Sequence, residues 1–147
     1  MPHHKAKLSS RYITAAEMAQ FAKGLPQLFS EIPGEEKCMI IHYGWGCNAH
    51  QDLLYQPMPV LLEAFPQFLE ESIEQKIFDF GDCDLLIDSV NGELKILLCH
   101  ESDIHIDGSN DELAQKVSEA YPSFEFRTGE AWEQLNAAKN NEENNAV

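Results

Sequence analysis

The spacing of hydrophobic residues in the first third of the chain predicts one helix and one buried strand. Residues 15–23 place apolar side chains on a single helical face, and Thr14 with Glu17 fits the capping box that begins many helices. We expect Pro26 to end this helix, because proline cannot donate a helical hydrogen bond. The apolar run 38–43, CMIIHY, is typical of a buried strand.

Two further helices are predicted downstream. The region 59–73 has helical periodicity, and Pro66 within it should break or restart the helix. The predicted helix 110–120 follows Ser109, which fits a second capping box with Glu112. These helices lie on either side of a region with a different hydrophobic period.

That central region has the pattern of β-strands. The segments 76–80, 83–88 and 93–100 are short and apolar or alternating. Asn91-Gly92, between the last two, favours a type I′ hairpin turn because both positions accept positive φ. The sequence therefore predicts a β-meander with an Asn-Gly hairpin, and 103–107 is expected to continue the last strand or to form another after a bend.

The C-terminal region predicts one more strand, one more helix and a tail. Residues 124–127, FEFR, alternate as an edge strand does, and Thr128 is expected to cap a helix that carries Trp132. The polar segment 139–147 predicts a disordered tail. The order of elements lacks strict βαβ alternation, so we expect one α+β domain over 1–138, with helices packed on one face of a mostly antiparallel sheet.

Charge is the strongest global property of the chain, whose formal net charge is −15. Residues 1–30 have a net charge of +3, whereas residues 79–112 hold ten acidic residues against Lys95 alone, a net charge of −9. Such a field repels nucleic-acid phosphates and anionic membranes and attracts a basic protein. We therefore expect no nucleic-acid and no membrane partner. Acidity that only keeps the protein soluble is the alternative.

Cysteine spacing and the N-terminal segment indicate a compartment. The cysteines form no CxxC pair and no zinc-finger spacing, and they are Cys38, Cys47, Cys83 and Cys99. The first ten residues lack the apolar segment of a signal peptide, and no apolar run in the sequence reaches membrane-spanning length. We therefore expect a reduced, cytoplasmic protein.

The stretch 97–107, LLCHESDIHID, is dense in side chains that bind metals or move protons. On a strand, Glu101, Asp103, His105 and Asp107 share one face, and the isoleucines between them share the other. A half-buried strand gives this alternation without any chemistry. The favoured interpretation is a recognition face, which needs no cofactor.

A metal site is the alternative for the same stretch. His100, Asp103 and His105 could bind a divalent metal with His42 or His50 arriving from elsewhere, since such metals accept mixed nitrogen and oxygen ligands. The HExxH motif is absent, and ligands at this spacing alone do not specify a site. A small metal-dependent hydrolase is therefore the alternative function.

The glycine-rich stretch 42–50, HYGWGCNAH, has three interpretations. The simplest is a turn whose tryptophan packs on the core. The second is an exposed aromatic anchor made by Tyr43 or Trp45, because these residue types are enriched at binding hot spots. The third is a nucleophilic pair of Cys47 and His50, but no hydrolase signature surrounds it.

A small, acidic α+β domain with the block 80–107, FGDCDLLIDSVNGELKILLCHESDIHID, resembles the immunity proteins of bacterial polymorphic and contact-dependent toxin systems. The resemblance implies a toxin inhibitor that binds a cognate toxin domain, commonly a basic nuclease, and blocks its active site or substrate path. A regulatory subunit that binds a non-toxin protein is a further alternative. From charge and expected exposure, the residues that contact the basic partner are Tyr43, Trp45, Asp84, Asp88, Glu101, Asp103, His105 and Asp107.

Overall fold

The computed structural model of the protein describes residues 6–33 and 37–145. Within them the strands are β1 (Leu8–Ser9), β2 (Cys38–Tyr43), β3 (Met58–Leu61), β4 (Leu85–Asp88), β5 (Lys95–Leu98) and β6 (Ile104–Asp107). The α-helices are α1 (Ala15–Ser30), α2 (Phe65–Glu74), α3 (Asp111–Ala120) and α4 (Gly129–Asn145). Short 3₁₀ turns occupy Leu62–Ala64 and Pro122–Phe124.

The strands form a six-stranded antiparallel sheet in the order β1-β6-β5-β4-β2-β3. β4, β5 and β6 are consecutive in sequence and adjacent in the sheet, so the predicted meander and the predicted α+β class are confirmed. The meander is made of different segments than expected, because 76–80 is not a strand and 104–107 supplies the third one.

The two faces of the sheet differ in burial. On the four central strands the inner face is buried and consists of Met39, Ile41, Tyr43, Leu85, Ile87, Ile96, Leu98, Ile104 and Ile106. Helices α1, α2 and α3 bury their apolar sides in the same hydrophobic cluster, so they cover this face. On the outer face, the alternate residues of β2, β4 and β6 are half-buried.

The first helix is longer than the sequence predicts. The capping box is confirmed, because Glu17 N donates to Thr14 Oγ1 at 3.1 Å and Thr14 N donates to the Glu17 carboxylate at 2.9 Å. The predicted end at Pro26 is wrong, since α1 continues to Ser30. Burial of Phe29, one turn beyond the proline, outweighs the one lost hydrogen bond.

The second predicted helix is divided in two. Residues 58–61 form β3, which pairs with β2, instead of the first turn of a helix. Pro66 lies in the first turn of α2, where its missing N–H has no helical partner to lose, so the expected restart is confirmed.

The β4–β5 hairpin is confirmed, but its turn is not type I′. Gly92 has a φ of 75°, whereas Asn91 does not have positive φ. Ser89 N donates to Leu94 O at 2.8 Å, so the loop spans four residues, 90–93, and not two. The Asn91 side chain accepts from Glu93 N at 3.0 Å and holds this wider turn.

The C-terminal elements depart from the prediction at their starts. Asn110, and not Ser109, caps α3, because its side chain accepts from Leu113 N at 3.2 Å. Residues 124–127 are not an edge strand, and only Arg127 forms an isolated bridge, with Ser9. Phe124, the first of these residues, packs instead against an aromatic side chain of α1.

The last helix lies apart from the main core. Thr128 caps it as predicted, since Ala131 N donates to its hydroxyl at 3.1 Å. Trp132 is half-buried and donates from Nε1 to Ser9 O at 2.8 Å. α4 runs to Asn145 through most of the segment predicted to be disordered, and residues 146–147 lie outside the described residues. No helix in the described ranges has both the length and the hydrophobicity needed to cross a membrane.

Candidate functional site

Three loops meet at the end of the sheet where β2 and β5 finish and β4 begins. We call this surface the loop end, and it consists of residues 44–50, 79–84 and 99–103. Asp84 N donates to Trp45 O at 2.8 Å, and Gly44 N donates to Asp84 O at 2.9 Å, so the first two loops are hydrogen-bonded to each other. The third loop reaches them through His100.

Close approach of the first two loops requires a glycine. Gly46 has a φ of 83°, and a Cβ added there would lie 2.8 Å from Asp82 O. A larger residue would push residues 44–50 away from the start of β4. The GWG sequence therefore has a structural reason that needs no phosphate-binding function.

Asp84 and His100 form the central contact of the loop end. Asp84 Oδ1 accepts from the backbone N of His100 at 2.7 Å and lies 2.8 Å from its Nδ1. Both side chains are partly buried, at 16% and 27% exposure. Two contacts to one carboxylate oxygen fix the imidazole ring, and its Nε2 faces Glu101 Oε1 at 3.7 Å.

Trp45 lies against this fixed ring. Its ring centroid is 4.3 Å from that of His100, and the residue is 58% exposed. The interpretation that Trp45 packs back on the core is therefore wrong. Trp45 has the exposure that an aromatic anchor requires.

Tyr43 does not share that exposure, although it was predicted to contact a partner. It is 5% exposed, and its hydroxyl lies 2.6 Å from Ser72 Oγ on α2. Burial raises the pKa of this phenol. Tyr43 is in phase with the other inner-face residues of β2, so strand alternation places it in the core.

Two of the predicted acids lie away from the loop end. Asp88 and Asp107 are both opposite Lys95 in the register of the sheet, so the three form a row across the outer face. Burial raises the pKa of Asp88, and its Oδ2 is 4.0 Å from His42 Nδ1. This row lies at the hairpin side of the meander.

Asp103 and His105 are adjacent on the outer side of β6. His105 Nε2 lies 3.2 Å from Asp103 Oδ1, and His105 Nδ1 lies 2.7 Å from Ser9 Oγ of β1. Both side chains are about as buried as Asp84, at 13% and 14% exposure. They line a groove of about 900 Å³ whose other wall includes Trp132 of α4.

Cys99 lies close to two pairs of side chains that each consist of an aspartate and a histidine. Its Sγ belongs to two groups in which all potential ligand atoms lie within 4.8 Å of one another. One group adds Asp84 and His100, and the other adds Asp103 and His105. Burial raises the pKa of the Cys99 thiol to about 12.

The residues that could bind a metal ion in the structure therefore differ from those predicted from the sequence. Among the residues that the structure describes, such groups contain neither His42 nor His50. His50 is 74% exposed, and its Nδ1 is 3.4 Å from Asp52. The sequence-based prediction leaves Cys99 out of the metal ligands because its position at the end of an apolar strand is typical of a buried apolar residue.

The structure argues against a Cys47 nucleophile. Burial, with further contributions from nearby groups, raises the pKa of the Cys47 thiol to about 12, so the thiolate is scarcely populated at neutral pH. Its Sγ lies 3.3 Å from Asp84 O, a contact in which the thiol donates. Cys47 therefore supports the loop end as a small buried side chain.

Comparisons of the chain with protein-family models, with curated proteins and with solved structures find no match.

Proposed function

We propose that the protein is a binding module that neutralises a basic protein partner, and that the loop end is its contact surface. The observation that carries the proposal is the exposed indole of Trp45, held against His100 beside acidic side chains. Tryptophan is enriched among the hot spots of protein–protein interfaces, where its large ring serves as an anchor.

The anchor is held in place before a partner arrives. The backbone of Trp45 is hydrogen-bonded to Asp84, and its ring rests on an imidazole that the same aspartate fixes. Ordering a side chain on association typically costs about 0.5–1.5 kcal/mol. A side chain that is already positioned avoids much of that cost, so rigidity here favours binding.

Charge around the anchor favours lysine and arginine. Asp82 and Glu101 are exposed at the loop end, and the half-buried Asp84 contacts His100. A cation on the indole face gains a cation–π interaction, and a neighbouring carboxylate can accept its N–H groups. The half-buried Asp103 adds to the negative field without being a direct contact.

We further propose that the partner is a toxin domain and that the protein acts as its immunity protein in the cytoplasm. A nuclease-type toxin has a basic cleft that attracts phosphates, and an acidic surface with a projecting aromatic side chain is complementary to such a cleft. The net charge of −15 supports rapid association with such a domain.

Affinity capture tests the binding proposal. The full chain, immobilised, is exposed to a lysate of its native host at low salt, and captured proteins are eluted by raising the ionic strength. We expect a basic protein whose affinity falls steadily with salt. Trp45→Ala should weaken its binding about thirtyfold, the size of a hot-spot loss.

Val90→Ala is the matched control, because Val90 is an exposed apolar residue in the hairpin turn, away from the loop end. Equal weakening by both variants, or affinity that is independent of salt, would refute the proposal. The toxin proposal is tested separately by expressing the captured protein alone, where it should arrest growth, and together with this chain, where growth should be restored. A captured protein that does not arrest growth would identify a regulatory complex and not an immunity complex.

A further inference from the structure

We propose that Cys99, Asp103 and His105 form a binding site for a divalent transition-metal ion of the zinc type, open to the groove beside α4. The three residues come from the turn between β5 and β6 and from the start of β6 itself. Cys99 and Asp103 belong to the loop end, but neither Trp45 nor His100 is a ligand, so the proposal does not depend on the proposed partner.

The distances suit a small ion. The Cys99 Sγ, an Asp103 carboxylate oxygen and a His105 ring nitrogen all lie within 4.8 Å of one another. Zinc binds sulfur, nitrogen and oxygen ligands at about 2.0–2.3 Å. Small side-chain rotations therefore bring all three atoms onto one ion, without movement of the strands.

The His105 ring is oriented as metal-ligating histidines are. Its Nδ1 lies 2.7 Å from Ser9 Oγ, which leaves Nε2 directed at Asp103. Metal-binding histidines usually have a hydrogen-bond partner at the second ring nitrogen, and that partner fixes the ring. Nε2 and Asp103 Oδ1, 3.2 Å apart, need a proton or a cation between them, and a metal ion can replace the proton.

The donor set selects the kind of metal. A thiolate and an imidazole are softer ligands than magnesium or calcium prefers, whereas zinc accepts sulfur, nitrogen and carboxylate oxygen together. Three protein ligands also leave a fourth position of a tetrahedral ion. Asp103 and His105 also line the groove of about 900 Å³, which gives an ion a route to the site.

The other group on the same sulfur is less suited to the ion. Asp84 Oδ1 already accepts from the backbone N of His100 and lies 2.8 Å from its Nδ1, so an ion would compete with an existing contact between the two side chains. His100 is also covered on one face by Trp45. We therefore assign the site to the Asp103 and His105 side of Cys99.

Cobalt titration of the full chain tests the assignment. After chelator treatment and buffer exchange, Co²⁺ is added, and the thiolate-to-cobalt charge-transfer absorption is followed with the visible bands of tetrahedral cobalt. We expect saturation at one ion per chain and displacement by Zn²⁺. Asp103→Asn and His105→Gln should each weaken binding at least about tenfold, and Ser9→Ala should weaken it about tenfold through the loss of ring orientation.

Cys99→Ser should remove the charge-transfer band, and circular dichroism would show whether this buried substitution preserves the fold. If it does not, the half-buried Asp103 and His105 variants decide. Cys38→Ser and His50→Gln are matched controls and should bind as the original chain does, since neither residue belongs to the cluster. Absence of saturable binding, survival of the band in a folded Cys99→Ser variant, or dependence on His100 in place of His105 would each overturn the proposal.

Discussion

The two faces of the sheet are made by the same strands but from different chemistry. The inner face of the meander is aliphatic and fully buried, and it consists of Leu85, Ile87, Ile96, Leu98, Ile104 and Ile106. On the outer face, the leucines Leu86 and Leu97 alternate with charged or titratable residues. Those residues are Asp88, Lys95, His105 and Asp107. Moving one residue along a strand thus changes the environment from hydrocarbon to a network of charges.

The two faces therefore contribute differently to the protein. The inner face holds the helices by burial of apolar surface, which is the main source of stability. On the outer face, carboxylates and imidazoles lie 3–4 Å apart while remaining half-buried. A half-buried polar network of this kind contributes little net stability but fixes where its groups point.

The largest expected effect on the free energy of unfolding comes from comparing two neighbouring residues of β4, one on each face of the sheet. Ile87→Ala should lower the free energy of unfolding by about 3 kcal/mol, because it leaves a cavity in a fully buried site. Leu86→Ala, on the outer face, should lower it by only about 1 kcal/mol. Urea denaturation of both variants measures the difference, and equal losses would show that the outer face is also core.

A smaller effect is expected at the hydroxyl pair within the core. Tyr43→Phe removes the 2.6 Å contact to Ser72, which is itself 3% exposed, and should lower the free energy of unfolding by about 1 kcal/mol. Tyr43→Phe combined with Ser72→Ala should cost no more than the single change, because no buried hydroxyl is then left unpaired. Strictly additive losses in a double-mutant cycle would show that the two hydroxyls do not interact.

Lowering the pH should increase the contribution of Asp88 to stability, whereas most carboxylates lose stability on acidification. Burial raises its pKa in the folded state above the ordinary value of 3.8, so its ionised form destabilises the fold at neutral pH. Stability from this group is gained as pH falls through the folded pKa towards 3.8. Asp88→Asn should therefore be at least as stable as the original chain at pH 7 and should lose that advantage on acidification.

Asp107→Asn is the control for that titration, since Asp107 lies across Lys95 in the same row. Thermal unfolding between neutral and mildly acidic pH provides the measurement. A stability difference between Asp88→Asn and the original chain that does not change with pH would contradict the buried-carboxylate explanation.

The smallest expected effect is at Trp45. Because the side chain is 58% exposed, Trp45→Ala should change the free energy of unfolding by no more than about 0.5 kcal/mol. A loss of several kcal/mol would instead identify the indole as part of the core. Denaturation with the intrinsic signal of far-ultraviolet circular dichroism avoids relying on tryptophan fluorescence.

Local signals made much of the fold predictable. Capping residues located the starts of α1 and α4, and the meander followed from short apolar segments separated by turn residues. What failed depended on distant contacts. β3 exists because residues 58–61 pair with β2, and α1 passes Pro26 because the residues beyond it are buried.

The candidate site was predictable in part for the same reason. The exposure of Trp45 was among the alternatives, and alternation with Met39 and Ile41 already signals that Tyr43 is buried. The contact between Asp84 and His100 depends on the pairing of β4 with β5, and the place of Cys99 between two histidines depends on the β5–β6 turn. Such contacts are set by register and not by sequence spacing.

Ser9 has a consequence for the dynamics of the chain. Its backbone N–H and carbonyl are hydrogen-bonded to Arg127, and the same carbonyl also accepts from Trp132, so β1 and the start of α4 share their hydrogen bonds. Elements linked in this way open together in native-state hydrogen exchange. The amides of Ser9 and Arg127 should therefore exchange at a common rate, faster than that of Ile87, as one cooperative unit formed by distant parts of the chain.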